Sequence, residues 1–185
     1  MPAFYLSFLA VLLAGIAGRD QQTVAGLALR QGARPGVLIV GLGVVALTSF
    51  LAGWGATVIL AELPPPGRNI FAAMALGLAG LESLAIAPRR VPREPTLSLG
   101  ALGFVLLFRQ LTDAPRFLMV GMGVAMAAPE GAAFGGLFSG ALLIAIAWGA
   151  PQVVTHRAAL WARRGAGGVL LLVAVLMVLS GLGIL

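Results

Sequence analysis

Apolar residues fill the chain in six long runs, separated by short polar or proline-bearing segments. The runs are Ala3 to Gly32, Pro35 to Leu63, Asn69 to Pro88, Leu97 to Ala128, Gly131 to Val154 and Ala166 to Leu185. A bilayer core about 30 Å thick is crossed by roughly 20 helical residues, so each run predicts a membrane-spanning helix. The punctuation supports the division, because Pro64-Pro65-Pro66-Gly67 cannot continue a helix and Pro88 to Pro95 forms a second rigid, Arg-bearing turn. Two runs are too long for a straight span and carry polar residues near their middle. In the first the interruption is Gly18-Arg19-Asp20-Gln21-Gln22, and in the fourth it is Arg109-Gln110-Leu111-Thr112-Asp113-Ala114-Pro115-Arg116. Each of these spans must tilt or break, with Gly18 and Pro115 as the means.

Composition strengthens the membrane reading. Of 185 residues 60% are hydrophobic and 10% charged, with a mean hydropathy of +1.04, whereas soluble domains have about a quarter of their residues charged. Six spans leave no room for a large extramembrane catalytic domain. The net charge of +6 comes from twelve basic residues, all Arg, and their placement between apolar runs argues for orientation in a bilayer rather than for nucleic acid. Arg30 and Arg34 fall in the first connection, Arg68 in the second, Arg89, Arg90 and Arg93 in the third, none in the fourth, and Arg157, Arg163 and Arg164 in the fifth. The positive-inside rule then puts the odd connections in the cytoplasm and both termini on the opposite side. A signal peptide ending at Gly15-Ile16-Ala17 is the competing reading of the first run, but that run lacks a basic leader. The absence of Cys removes disulfides and thiolate chemistry.

Sliding the second half onto the first at an offset of 94 aligns Val11-Leu12-Leu13 with Val105-Leu106-Leu107, Pro35 with Pro129, and Gly41 with Gly135. It also aligns Trp54-Gly55-Ala56 with Trp148-Gly149-Ala150, using two of only three Trp. The expected fold is therefore an all-α membrane protein of six transmembrane helices in two three-helix repeats, residues 1–94 and 95–185. An odd number of spans per repeat inverts one half relative to the other. Broken first helices in inverted repeats are a plan of secondary transporters, with the site where the breaks meet at the midplane.

The polar residues at membrane depth are the candidate site. An isolated Asp or Arg at the bilayer centre costs about 2.5 to 3.5 kcal/mol, so Arg19, Asp20, Arg109, Asp113, Arg116 and Glu82 would cost roughly 15 to 20 kcal/mol unpaired. Three Arg balance three acids, as a self-neutralising cluster requires. The repeat places Arg19 on Asp113, which predicts an ion pair across the repeat axis, with Arg109 or Arg116 answering Asp20 or Glu82. Glu82, alone in an otherwise apolar span, is a candidate proton carrier, or else an acceptor for Ser83 or an Arg. Glu62, Glu130 and His156 fall at span ends, and His156 is not expected to hold a metal.

The breaks resemble those of the Gdt-type family of manganese or calcium/proton exchangers, which is related to bacterial lysine and manganese exporters. That family's motif reads Glu, any residue, Gly, Asp, Lys or Arg, Thr or Ser, usually then Gln. Its slots are occupied here by Ile16 to Gln22 and by Gln110 to Arg116; Gly18, Asp113 and Gln22 keep the family identities, while Ile16 and Gln110 stand at the two Glu positions and Arg19 at an Asp. The resemblance implies the inverted-repeat fold, a transported manganese or calcium ion, and Asp113 and Asp20 as metal ligands, with Gln110 and Gln22 beside them. Hard divalent cations need oxygen donors and negative charge, and this chain has exchanged carboxylates for Arg, Ile and Gln.

Two functions follow from this reading. One is a divergent secondary transporter, either retaining cation/proton exchange through Asp113, Asp20 and Glu82 or moving a solute suited to an Arg-bearing site, such as an anion. The other is a non-transporting partner subunit that forms a homo- or hetero-oligomer with a related membrane protein. No enzyme is expected, since no Ser/His, Cys/His or His/Glu arrangement falls at membrane depth, and no cofactor is implied. The expected location is the bacterial inner membrane.

Overall fold

The structure is a computed structural model that describes residues 1–86, 97–181 and 184. Arg89, Arg90, Arg93 and the boundary drawn between the halves at 94 and 95 lie outside the described residues. Helix accounts for 88% of the described residues. The elements are α1 (Pro2–Gly15), α2 (Arg19–Gln31), α3 (Pro35–Glu62), α4 (Pro65–Ala85), α5 (Leu99–Leu111), α6 (Ala114–Ala125), α7 (Pro129–Gly149), α8 (Pro151–Thr155) and α9 (Arg157–Gly181). Proline marks the starts: α1, α3, α4, α6, α7 and α8 each carry one in their first two positions. There the missing N–H is no loss and the fixed φ already suits the helix. The Pro64-Pro65-Pro66 run therefore opens a helix as well as following the end of one, and α4 starts at Pro65 rather than Asn69.

Both overlong runs are broken. α1 and α2 meet at a bend of 60°, across Ile16, Ala17 and Gly18, so that Arg19 to Gln22 form the first turn of α2 rather than the break itself. The reversal falls at Ala17, which takes φ 49, and not at Gly18. α5 and α6 part at Thr112 and Asp113, and Pro115 sits in the first turn of α6 instead of in the gap. The last helix is also longer than its apolar run, beginning at Arg157 rather than Ala166. Arg157, Arg163 and Arg164 are thus helical, because Arg, Leu and Ala support a helix whether or not the segment is apolar.

Three described helices, α3, α7 and α9, are long and apolar enough to cross a membrane, and the bent α1–α2 pair adds a fourth. α5 and α6 are shorter apolar helices. The outer faces carry large apolar side chains such as Phe50, Trp54, Phe104, Phe108, Phe138 and Leu172, which is compatible with integral membrane insertion.

Inside, small residues set the spacing. α4 packs along α9 and α1 along α7. A Cβ at Gly80 would come within 2.8 Å of the Gly167 carbonyl oxygen, and one at Gly135 within 3.0 Å of the Phe8 backbone nitrogen. Such close approach replaces the hydrophobic driving force that lipid-embedded helices lack. α1 and α6 run through one buried cluster that includes Val11, Ala14, Leu118 and Met119. The second cluster joins α2, α3, α5 and α7 through Val24, Val45, Leu106 and Ile144.

Candidate functional site

The two breaks converge on one small cavity of about 30 Å³, enough for a water molecule or two. Gly15, Gly18, Asp20 and Gln21 line it from the first break, Gln110, Asp113, Pro115 and Arg116 from the second, and Val45, Gly140 and Leu143 complete it from α3 and α7. The packing that brings this about is local. Gln21 is buried and accepts a hydrogen bond from the Ala17 backbone N–H at 2.8 Å while donating to the Leu143 carbonyl at 2.9 Å. One side chain thereby satisfies a backbone group that the break leaves free and ties the break to α7.

The second break is held by a guanidinium. Arg116, 7% exposed, donates from Nε to Thr48 Oγ1 at 2.8 Å and from Nη2 to Gln110 Oε1 at 2.5 Å. Thr48 in turn donates to Gln110 Oε1 at 2.8 Å. Asp113 stands at the N-cap of α6 but makes no capping hydrogen bond, although Asp is a favoured capping residue. Its carboxylate lies instead within electrostatic reach of Asp20, Glu82 and Arg116. Asp20 is within reach of Arg116, Gln110, Arg109 and Arg19, and its Oδ1 is buried without a hydrogen-bond partner among the described residues.

The expected Arg19 to Asp113 pair does not form. Arg19 reaches across to α4 and pairs with Glu82, Nη2 to Oε1, at 2.8 Å, the only ion pair among the described residues. Arg19 is already in the first turn of α2, whereas Asp113 is the N-cap of α6, and Arg19 reaches out of the break toward α4. Glu82 therefore accepts from an Arg, as one reading held. Neither Arg109 nor Arg116 makes an ion pair with Asp20 or Glu82, although both lie within electrostatic reach of Asp20; Arg109 Nη1 donates to Thr23 Oγ1. Gln22 is not part of the cavity either, for its amide donates to the Val154 carbonyl at 2.9 Å and secures α2 to α8.

Two residues of the site escape a reading by sequence. Thr48 resembles any polar residue inside an apolar helix, yet it carries the Arg116 network. Arg163 was counted with the fifth connection, but it is 4% exposed. Its Nη1 would stand 3.7 Å from a Cβ at Gly18, its charge reaches Asp113 and Glu82, and its Nε has no partner among the described residues. The signal for it is spacing: Arg163, Ala166, Gly167, Leu170 and Ala174 form one buried stripe on α9. Arg163 brings four Arg against three acids at this depth, so the cluster is not self-neutralising as counted.

Among the described residues no three His, Cys, Asp or Glu side chains group closely enough to hold a metal ion. Asp20 and Asp113 do share the cavity, and Arg116 shares it with them. Comparison with models of known protein families, with curated proteins and with solved structures finds no match.

Proposed function

We propose that the chain is an integral membrane secondary transporter of six spans in two inverted halves, seated in a bacterial inner membrane with both termini on the non-cytoplasmic side. The convergence of two helix breaks on one polar cavity carries this reading, since broken helices facing each other at mid-depth are how such proteins expose backbone and charge to a solute. The 94-residue offset adds support: Pro35 and Pro129 open α3 and α7, and the breaks at 16–18 and 112–113 fall within two residues of register.

The donor set argues about cargo. Two carboxylates with a guanidinium in the same lining supply too little negative charge to repay the dehydration of manganese or calcium. The transported solute on this reading carries a single charge, and the Gdt-type resemblance extends to architecture rather than to substrate. Proteoliposomes with an entrapped pH dye, challenged in turn with manganese, calcium, sodium, potassium and chloride, test the proposal. The expected result is a response to a monovalent ion that Asp113→Asn abolishes. A manganese or calcium response lost in that variant would restore divalent exchange, and silence toward every ion from a folded protein would overturn transport.

The partner-subunit reading has one observation in its favour. Trp148 donates its Nε1 to the Arg34 carbonyl at 3.0 Å and packs into the chain, but its counterpart Trp54 is 63% exposed. Beside Trp54 lies an open groove of about 430 Å³ lined by Phe50, Gly53, Glu130 and Phe134. On this reading the groove receives a helix of a related subunit, which would co-purify with the chain.

A further inference from the structure

α9 begins on a basic, aromatic face and becomes apolar only at Ala166. The helix has 25 residues, about 37 Å at 1.5 Å per residue, against a bilayer core of about 30 Å, so its first turns meet the headgroup region. Arg157, Trp161 and Arg164 stand at i, i+4 and i+7 and share one face, turned away from the buried stripe of Arg163, Ala166, Gly167 and Leu170. All three are exposed, Trp161 by 68%. The Arg164 guanidinium carbon lies 5.3 Å from the centre of the Trp161 ring. That side chain is therefore folded back toward the start of the helix, and its charge is held on the headgroup side of the apolar run.

Among the described residues no carboxylate answers this face. The sequence has no Asp or Glu after Glu130, Glu82 is taken by Arg19, and Asp20 and Asp113 line the central cavity. A Cβ at Gly41 meets Ile144 and one at Gly53 meets Ala133, so α3 and α7 run antiparallel. Glu62 and Glu130 accordingly lie at the end remote from α8 and α9. Glu94 falls outside the described residues. Next to the two guanidinium groups the helix surface is bare. Gly168 follows Trp161 and Arg164 by seven and four positions on the same face, and a Cβ there meets nothing within 4 Å. Leu172, 59% exposed, then resumes the apolar surface.

We propose that this face of α9 binds an anionic phospholipid, with Arg157 and Arg164 taking the headgroup phosphate, Trp161 beside the glycerol, and an acyl chain running over Gly168 onto Leu172. Guanidinium suits the phosphate because its planar fork meets two oxygens at once, and an indole ring settles at the boundary between headgroups and acyl chains. A zwitterionic lipid offers the same phosphate but carries its own ammonium, which leaves the two unanswered guanidinium charges without a counter-charge. An acidic peptide could meet the guanidinium groups, but it has no use for the strip from Trp161 through Gly168 to Leu172, which continues into the apolar surface of α9. The site is separate from the central cavity and independent of transport.

Trp161 itself reports occupancy. The full chain is reconstituted in phosphatidylcholine vesicles with a rising fraction of phosphatidylglycerol whose acyl chains are brominated, and the quenching due to Trp161 is the difference between the wild type and Trp161→Phe. We expect brominated phosphatidylglycerol to quench Trp161 at a mole fraction roughly tenfold or more below that of brominated phosphatidylcholine. Arg157→Gln and Arg164→Gln should each remove about fivefold of that preference. Gly168→Leu keeps every charge and fills open space, and it should weaken the quenching several-fold. Arg34→Gln, which removes a charge from another connection, should change little. These positions other than Gly168 are surface side chains, and monodisperse elution confirms folding of each variant. Equal quenching by the two lipids, a loss from Arg34→Gln as large as that from Arg164→Gln, or no effect of Gly168→Leu overturns the proposal. So does relief of the quenching by millimolar glycerol phosphate, which would make the ligand a soluble anion.

Discussion

The two helix breaks line one cavity and are built by opposite means. At the α1–α2 break an uncharged amide does the work: Gln21 bridges the Ala17 N–H and the Leu143 carbonyl, and Gly18 closes back on the Gly15 carbonyl at 2.9 Å. At the α5–α6 break the backbone closures are longer, 3.3 Å from Thr112 to Arg109 and 3.3 Å from Asp113 to Gln110, and the side chain that holds the region is the charged Arg116. The helices entering the breaks differ as well. α1 lies against α7 in near-backbone contact at Gly135, whereas α5 exposes Phe104 and Phe108. One break is a fixed frame and the other a charged joint, although both line the same small cavity.

The largest test of that contrast is the repeat-related glycine pair. Gly135→Val drives a side chain into the Phe4 and Phe8 backbone of α1, while Gly41→Val meets the movable Ile144 side chain. We expect the first to cost about 3 kcal/mol in detergent unfolding and the second about 1 kcal/mol. Equal losses would mean that α1 is no more firmly seated than its surroundings. A smaller effect separates Gln21→Ala from Pro115→Ala, which sit at matching positions of the two breaks. Removing the Gln21 amide strands a buried N–H and a buried carbonyl, for a loss of about 2 kcal/mol; the Pro115 change should stay within about 1 kcal/mol. The smallest is Ala17→Gly, expected to stabilise by about 0.5 kcal/mol because Ala17 holds φ 49. Thr112→Gly, at a residue with φ −105, should instead destabilise slightly. A gain at Thr112 with a loss at Ala17 would reverse the assignment of strain.

Some of this site is legible in the chain and some is not. Arg19, Asp20, Asp113 and Gln110 stand out because polar residues at mid-span are costly and therefore few. Their partners do not stand out. Arg19 pairs with Glu82 rather than Asp113, and Gln22 serves α8 rather than the cavity, because successive helical residues turn by about 100° and a one-residue shift of a helix start re-aims each of them. Arg163 was hidden by a different effect: a charge beside an apolar run looks like part of a connection, although it continues the buried stripe of α9 by one turn.

The sequence by itself determined the apolar helices and that two of the long runs are broken, because both follow from hydropathy, backbone chemistry and spacing along one chain. Only the tertiary structure decided which charges meet, which cavity they enclose, and that Thr48 and Arg163 belong beside it. Those depend on how far each helix is rotated and how closely glycine lets its neighbour approach, quantities fixed by packing between segments far apart along the chain, as between Gln22 and the Val154 carbonyl, 132 residues away.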